Sequence, residues 1–441
     1  MRPRILRALI GLAVLCCSTG TSTGQLLRSG GLKAFVGARL FDGTGRGVVE
    51  NAVLLIKDGR VVSAGPASRI RIPLDAERVD VAGRTIVPGF VNTHSHVGET
   101  LGLTASAENA TNANVMSQLA LYARYGVTTV VSLGGDHQAG FDVRDVQDTL
   151  GLNRARLYVA GPVLDPKTPD EARAQVREAA ALGVNIVKIR VDDNLGTTPK
   201  MPVPVYQAVI DEAHRQKLRV AAHLFYLEDA KALVSSGADF VAHSVRDADV
   251  DDEFIRMLKV RGVCVCPTLT REVSAFVYES TPAFFSDPFF ARDADANVLQ
   301  QLRDPARQEA MRTSAAAMRY KAALDVAMRN LKRLSQAGVR IAFGTDTGPP
   351  GRFQGYFEHM EMELMARAGL TPTQILLSAT GDGAACAKLE DRVGTLTPGR
   401  WGDFVVLDAD PLENILNTRT INSVWIAGNR IERKAASATQ P

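Results

Sequence analysis

The sequence predicts an α/β fold, a (β/α)8 TIM barrel with a small β-sandwich domain built from both termini. Three observations carry this reading. Eight short apolar runs alternate with helical patterns through the middle of the chain, β-type runs with turn signals occupy both flanks, and metal-binding residue types recur where the apolar runs end.

The first flank, 32–85, alternates apolar and polar residues over short runs, and Asp58-Gly59 between two of them is a hairpin signal. The same texture returns in the last flank, 393–433, where Gly428-Asn429 reads as another turn. Neither flank has enough strands to bury a face alone, which is the reason to join them in one β domain.

Between them, 86–392 reads as the barrel. Its apolar runs fall at 86–92, 128–133, 157–162, 185–190, 219–222, 240–242, 263–268 and 340–344, and eight parallel strands close a barrel. Helices fill the intervals. Pro169-Asp-Glu begins one with acidic residues in its first turn and Gly183 ends it, Pro204 begins the next, and 227–237 is a third. The stretch 305–338 reads as one long helix or two in line. Before it, Phe276, Tyr278, Phe284, Phe285, Phe289 and Phe290 lie among Pro, Ser and Asp, either as a lid at the barrel rim or as an insertion packed on the outer helices.

At 441 residues, with 46% hydrophobic and 22% charged residues, the composition is that of an ordinary globular protein with a large core. The net charge of +3 comes from Lys and Arg scattered along the chain, so nothing points to nucleic acid as a partner. Residues 1–24 read as a signal peptide. Basic residues from Met1 to Arg7 precede an apolar stretch, Ala8 to Cys17, that is too short to span a bilayer, and small polar residues follow. The expected location is exported, periplasmic or secreted, with no stable membrane association beyond the signal. Lipid anchoring at Cys16 or Cys17 is disfavoured by the bulky Leu15. Of five cysteines, Cys264, Cys266 and Cys386 lie outside the leader, and this odd count argues against a disulfide framework. Cys264 and Cys266 are expected as buried small side chains rather than thiolate ligands.

The stretch on which the chain turns is Pro88-Gly89-Phe90-Val91-Asn92-Thr93-His94-Ser95-His96. On a strand, alternate residues share a side, so His94 and His96 project together. Lys188, His223, His243 and Asp346 each end or closely follow a later apolar run, and in a parallel barrel such positions converge on one rim. A lysine ligand requires explanation, because an ammonium has no lone pair and an unpaired charge in an apolar strand is costly. A neutral amine that takes up carbon dioxide becomes a carbamate, an anion able to bridge two metals about 4 Å apart. His137, after the second run, is a candidate for holding a substrate carboxylate, and Arg271 for pairing with an anionic substrate. His214 and His359 read as helix residues away from the rim.

The Pro-Gly-(…)-His-x-His pattern, Val187-Lys188-Ile189, the two single histidines, Gly344-Thr-Asp346 and the closing Val393-Gly-Thr-Leu-Thr-Pro-Gly-Arg-Trp-Gly-Asp-Phe resemble the amidohydrolase superfamily, in its imidazolonepropionase-like and prolidase-like branch. The resemblance implies a first divalent metal on His94, His96 and Asp346, a second on His223 and His243, and carboxylated Lys188 between them, with zinc as the expected ion. It further implies that a metal-bound hydroxide attacks the carbonyl, that Asp346 passes the proton to the leaving nitrogen, and that Tyr226 donates a hydrogen bond to the oxyanion. One departure is Asn92, where the family usually has Asp. Imidazolonepropionases themselves work with one metal and lack the bridging lysine, so Lys188 points toward the two-metal, dipeptidase-like members. The expected activity is hydrolysis of dipeptides or N-acyl amino acids. The alternatives are a cyclic amide or lactone hydrolase, and a non-catalytic exported metal- or solute-binding protein. A small-molecule substrate is the expected partner, together with self-association into a homo-oligomer.

Overall fold

Strands from the two ends of the chain share one sheet in the computed structural model, which describes residues 31–432. The expected leader, 1–24, lies outside the described residues. Across the sheet the strands run Asn429–Arg430, Ile421–Ile426, Phe404–Leu407, Thr85–Pro88, Lys33–Phe41, Val48–Lys57 and Arg60–Pro66, with Glu77–Asp80 also paired to Lys33–Phe41. Asp58-Gly59 turns the hairpin as expected, Lys57 lying opposite Arg60. The second turn falls one residue earlier than read, at Ala427-Gly428, because Ile426 pairs with Asn429.

The expectation of a sandwich is replaced by a single sheet that curls on itself. The Phe35 ring lies 4.8 Å from that of Phe404 and 4.7 Å from that of Trp425, although their strands are two and three places away. In a flat sheet those separations would be about 10 and 14 Å. The curl encloses Phe35, Leu40, Leu54, Ile56, Ile86 and Val406 in a core of their own.

The run 86–92 is split rather than one barrel strand. Thr85–Pro88 belongs to the end sheet and Phe90–Ser95 to the barrel, with Gly89 at the change of direction. Asp403 ties the two together: its carbonyl accepts from the Gly89 amide, and its buried carboxylate pairs with Arg156 at 2.7 Å.

The parallel strands form two ladders, one of Arg156–Val159, Val127–Ser132 and Phe90–Ser95, the other of Val163–Leu164, Val187–Arg190, Val220–His223, Phe240–Val241 and Cys264–Val265. Single contacts carry the arrangement from one ladder to the next. The Asn185 amide donates to Val159 and the Thr93 amide to Phe343, each at 2.8 Å, and Ile341 and Thr347 make isolated bridges to Val265 and Ser95. The architecture is α/β and TIM-barrel-like, with the eighth run joined through bridges rather than a full strand. All six residues of Val127–Ser132 are buried, as a strand covered on both faces requires.

The helices follow their sequence signals. Pro169–Ala181 is capped by the Thr168 side chain, which accepts from the Glu171 amide. The long stretch is two helices, Pro305–Arg312 and Ala315–Gln336. Among the described residues no helix is long and apolar enough to cross a membrane.

One expectation is corrected, and one pair of alternatives is decided. Cys264 and Cys386 form a disulfide, their Cα atoms 5.9 Å apart, and Cys266 is free and buried. An odd count leaves one thiol over but does not forbid a pair. The aromatic segment is not a lid. Tyr278, Phe285 and Phe290 are buried against Tyr125, Tyr356 and Phe357, and the Tyr278 hydroxyl donates to the Gly351 carbonyl. Phe284 and Phe289 pack partly buried against the same cluster.

Candidate metal centre and active site

His94 and His96 leave the end of Phe90–Ser95 on one side, as the two-residue period of a strand dictates. On the neighbouring run, Asp346 occupies a left-handed backbone conformation (φ 59°), held by two amides: its own and that of Thr345 both donate to the His94 carbonyl. Such a conformation costs a non-glycine residue about 1–3 kcal/mol, so this loop is over-determined by its surroundings. Gly348 completes it. A Cβ there would lie 2.0 Å from the His96 carbonyl oxygen.

The donor atoms converge. One ligand atom each from His94, His243 and Asp346 lies within 4.8 Å of the others. Asp346 Oδ1 is 2.9 Å from His96 Nε2 and 3.6 Å from His94 Nε2, and Lys188 Nζ is 3.2 Å from His94 Nε2. The His223 ring packs on that of His243 with centroids 4.2 Å apart. All six predicted ligands are thus in one place, five through their polar atoms and His223 through its ring.

Hydrogen bonds to the far side of each imidazole fix which nitrogen faces inward. A carbonyl only accepts, so the Nδ1–H of His94 donates to Ala242 and that of His96 to Gly134, which turns both Nε2 atoms inward. His243 Nδ1 is bonded to the Thr268 hydroxyl. His223 is reversed: Nε2 is bonded to Asp192 at 2.8 Å, leaving Nδ1 available.

Electrostatics keep the His94, His223 and His243 rings neutral. Burial, then the neighbouring Lys188, hold the His94 imidazole well below its ordinary range against the opposing pull of Asp346. Burial and the adjacent His223 do the same to His243. His223 is pushed down to about 3 by burial, against its bond to Asp192 and with help from Arg246 and Arg190. Burial pushes the Asp346 carboxyl up, but Arg352, 2.6 Å away, together with His96 and His94 holds it well below the usual carboxylate range.

Asp346 Oδ1 stands 2.9 Å from His96 Nε2, close enough for both to ligate one cation. The donor set of nitrogen and oxygen therefore fits a divalent metal. Burial pushes the Cys266 thiol up, and its sulfur meets the Thr93 hydroxyl. Lys188 is buried in Val187–Arg190 and pointed at His94, not turned outward. Burial, opposed by Asp346, brings its amine down to about 8.

The amidohydrolase family profile matches residues 85–431. The chain belongs to the amidohydrolase family. As an amidohydrolase it is a hydrolase acting on carbon–nitrogen bonds. It is 24% identical to the imidazolonepropionase of Streptomyces griseus subsp. griseus over 421 residues, covering 89% of this chain and 95% of that protein. Identity to the ochratoxinase of Aspergillus niger is 23% over 287 residues, 62% of this chain and 52% of that enzyme. Among solved structures, a Xaa-Pro dipeptidase with bound methionine superimposes with a TM-score of 0.74 at 19% identity, covering 91% of this chain and all of the other. Molinate hydrolase superimposes with a TM-score of 0.71 at 20% identity, covering 94% of this chain and 98% of the other.

The remaining candidates of this amidohydrolase are placed as follows. His137 directly precedes Gln138–Asp145 without a side-chain cap bond, and its Nε2 meets Glu99 at 2.8 Å. The Tyr226 hydroxyl donates to Asp193, and Lys200 lies over its ring. Arg271 is buried and paired with Glu272, so it is not a free guanidinium on the rim. His214 and His359 sit on helices away from the cluster, bonded to Asp239 and to the Tyr125 carbonyl.

Sequence reasoning missed the amidohydrolase's supporting residues. Asp192 and Arg352 lie on loops, and only the acid pair Asp192-Asp193 directly after the fourth run offered a signal. Glu358 is the other. Fully buried on Tyr356–Arg367, it accepts from Asn92 Nδ2 at 2.7 Å and from the hydroxyls of Thr345 and Thr347. This explains the Asn92 departure, since an amide can donate to Glu358 where a carboxylate cannot.

Proposed function

We propose that the chain is an exported, metal-dependent amidohydrolase that splits the amide bond of dipeptides or N-acyl amino acids. The observation that carries the reading is the convergence of His94, His243 and Asp346, with His96 and Lys188, at the ends of barrel strands. Two divalent ions, zinc first among them, would be held by His94, His96 and Asp346 and by His223 and His243, with Lys188 between. Bound there, they would supply Lewis-acid polarisation of the scissile carbonyl and acidify a water.

The chain's own residues do the rest. The Lys188 amine, once neutral, adds carbon dioxide as a carbamate and releases a proton, turning a buried cation into an anionic two-oxygen ligand. Asp346, kept ionised by Arg352, accepts the proton of the attacking water and delivers it to the leaving nitrogen. Tyr226 serves the developing oxyanion, leaving Asp193 to do so. Arg190, partly exposed beside Asp192 on the His223 side, suits a carboxylate on the departing amino acid. Export is supported by the Cys264–Cys386 disulfide, a bond that persists in oxidising compartments.

Metal analysis and a substrate screen test this together. Two metals per chain are expected, falling when Lys188 is changed to Ala. Dipeptides and N-acyl amino acids should exceed imidazolone propionate, hydantoins and lactones in kcat/KM by at least about tenfold, roughly 1.4 kcal/mol. A preference for cyclic amides would instead match the likeness to imidazolonepropionase. Full metal with no hydrolysis of any of these would favour the binding protein.

A further inference from the structure

A cavity of about 740 Å³ opens beside His96, and its walls include Glu99, Thr100, Asp136, His137 and Pro349. The lining contains two carboxylates and neither lysine nor arginine. Glu99 is half-exposed to this space, and its only ion-pair partner among the described residues is His137. That bond engages Oε1 alone. Oε2 rests over Gly135, where a Cβ would come within 2.7 Å of it, so the absence of a side chain at 135 is what lets the carboxylate lie there.

Asp136 supplies an independent sign. It is 7% exposed, its Oδ2 accepts from the amides of Ala160 and Gly161, and its buried Oδ1 makes no hydrogen bond of good geometry, the Ser132 side chain standing nearby. A buried carboxylate oxygen without a well-aligned donor is costly unless something arrives to satisfy it. An arriving carboxylate would meet two of its own kind here. An arriving ammonium would find a counter-charge and an under-satisfied acceptor.

We propose that the Glu99–Asp136 cavity is the subsite for a substrate ammonium group, and that the enzyme therefore selects dipeptides with a free α-amino terminus over N-acyl amino acids. The proposal rests on the amide-hydrolase reading and sharpens it. In a dipeptide the α-ammonium is the charge nearest the scissile carbonyl, and His96 forms the wall between this cavity and the reacting centre. His137 then holds the Glu99 carboxylate in place as a donor, rather than receiving a substrate carboxylate.

The test compares a leucyl dipeptide with its N-acetyl derivative on metal-loaded wild type and on Glu99→Gln, with metal content and melting curves checked for both. Wild type should favour the free amine in kcat/KM by about twofold to fivefold, the effect of one ion pair in a partly open cavity. Glu99→Gln should lose that preference through KM on the free amine alone. Equal rates on the two substrates in wild type, or an equal fall on both in the variant, would overturn the subsite while leaving amide hydrolysis in place. Should neither peptide be cleaved, calorimetric titration with leucinamide and N-acetyl-leucinamide decides. Amine-selective binding lost in Glu99→Gln keeps the subsite and removes the hydrolytic reading, and binding without selectivity removes the subsite.

Discussion

Asn92→Asp is a nearly isosteric change with a calculable cost. In the wild type the Asn92 side chain and Glu358 are both fully buried, and Nδ2 donates to Glu358 Oε1 at 2.7 Å and to the Thr345 hydroxyl at 2.8 Å. The substitution places two carboxylates face to face with charge centres about 4 Å apart, a repulsion of about 4 kcal/mol at an effective dielectric of 20. The pair will take up a proton instead, one carboxyl rising by about three pH units. Burial already pushes Glu358 upward, which favours this. A carboxyl raised on folding leaves stability intact below its unfolded value near pH 4 and removes it as pH rises toward the folded value. Denaturant melts of variant against wild type should therefore differ by less than about 1 kcal/mol at pH 4.5 and by about 4 kcal/mol above pH 7. Adding Glu358→Gln should flatten the difference, because the amide it introduces can donate to the new carboxylate at position 92 while the threonine hydroxyls change role. A difference independent of pH, or a double variant as pH-sensitive as the single one, would refute the reasoning.

Three further outcomes are expected. Asp346→Asn should lower kcat by about 10²–10⁴-fold with the far-ultraviolet dichroism unchanged, since the proton acceptor is lost and the side-chain shape kept. Phe285→Ala should destabilise by about 3–5 kcal/mol in denaturant melts while kcat/KM on peptides changes little, because the ring fills a core behind the outer helices and not a substrate pocket. Cys264→Ser should cost up to about 5 kcal/mol, the chain-entropy value for a sequence separation of 122 residues, and reductant should lower the wild-type melting temperature toward that of the variant.

The parts of the molecule legible in the sequence were those written in short-range periodicity. Apolar runs marked the parallel strands because both faces of each are covered, and the ligands were visible because they stand at the ends of those runs. What escaped was set by meetings across space. Cys264 and Cys386 are 122 residues apart and share no pattern. Arg352, Asp192 and Glu358 act by lying against Asp346, His223 and Asn92, and their own neighbours in sequence do not announce this. The aromatic segment carried the composition of a lid and of a core insertion alike, and only Tyr125, Tyr356 and Phe357 on distant helices decide between them. The split at Gly89 was hidden because the end-sheet strand and the barrel strand are equally apolar.

The placement of Thr85–Pro88 between Lys33–Phe41 and Phe404–Leu407 sets an order of events in the life of the chain. The strand leading into the histidine pair has one neighbour made early and one made more than 300 residues later, and Asp403 beside that late strand grips both Gly89 and Arg156. On a ribosome or a translocation channel the first half of the sheet therefore waits with an open edge, and its completion closes a very long loop in one late step. The Lys33 side chain, near the start of the described residues, then bonds to the carbonyl of Gly428 near their end, so strands four places apart in the sheet order are tied across its curl as a single clasp.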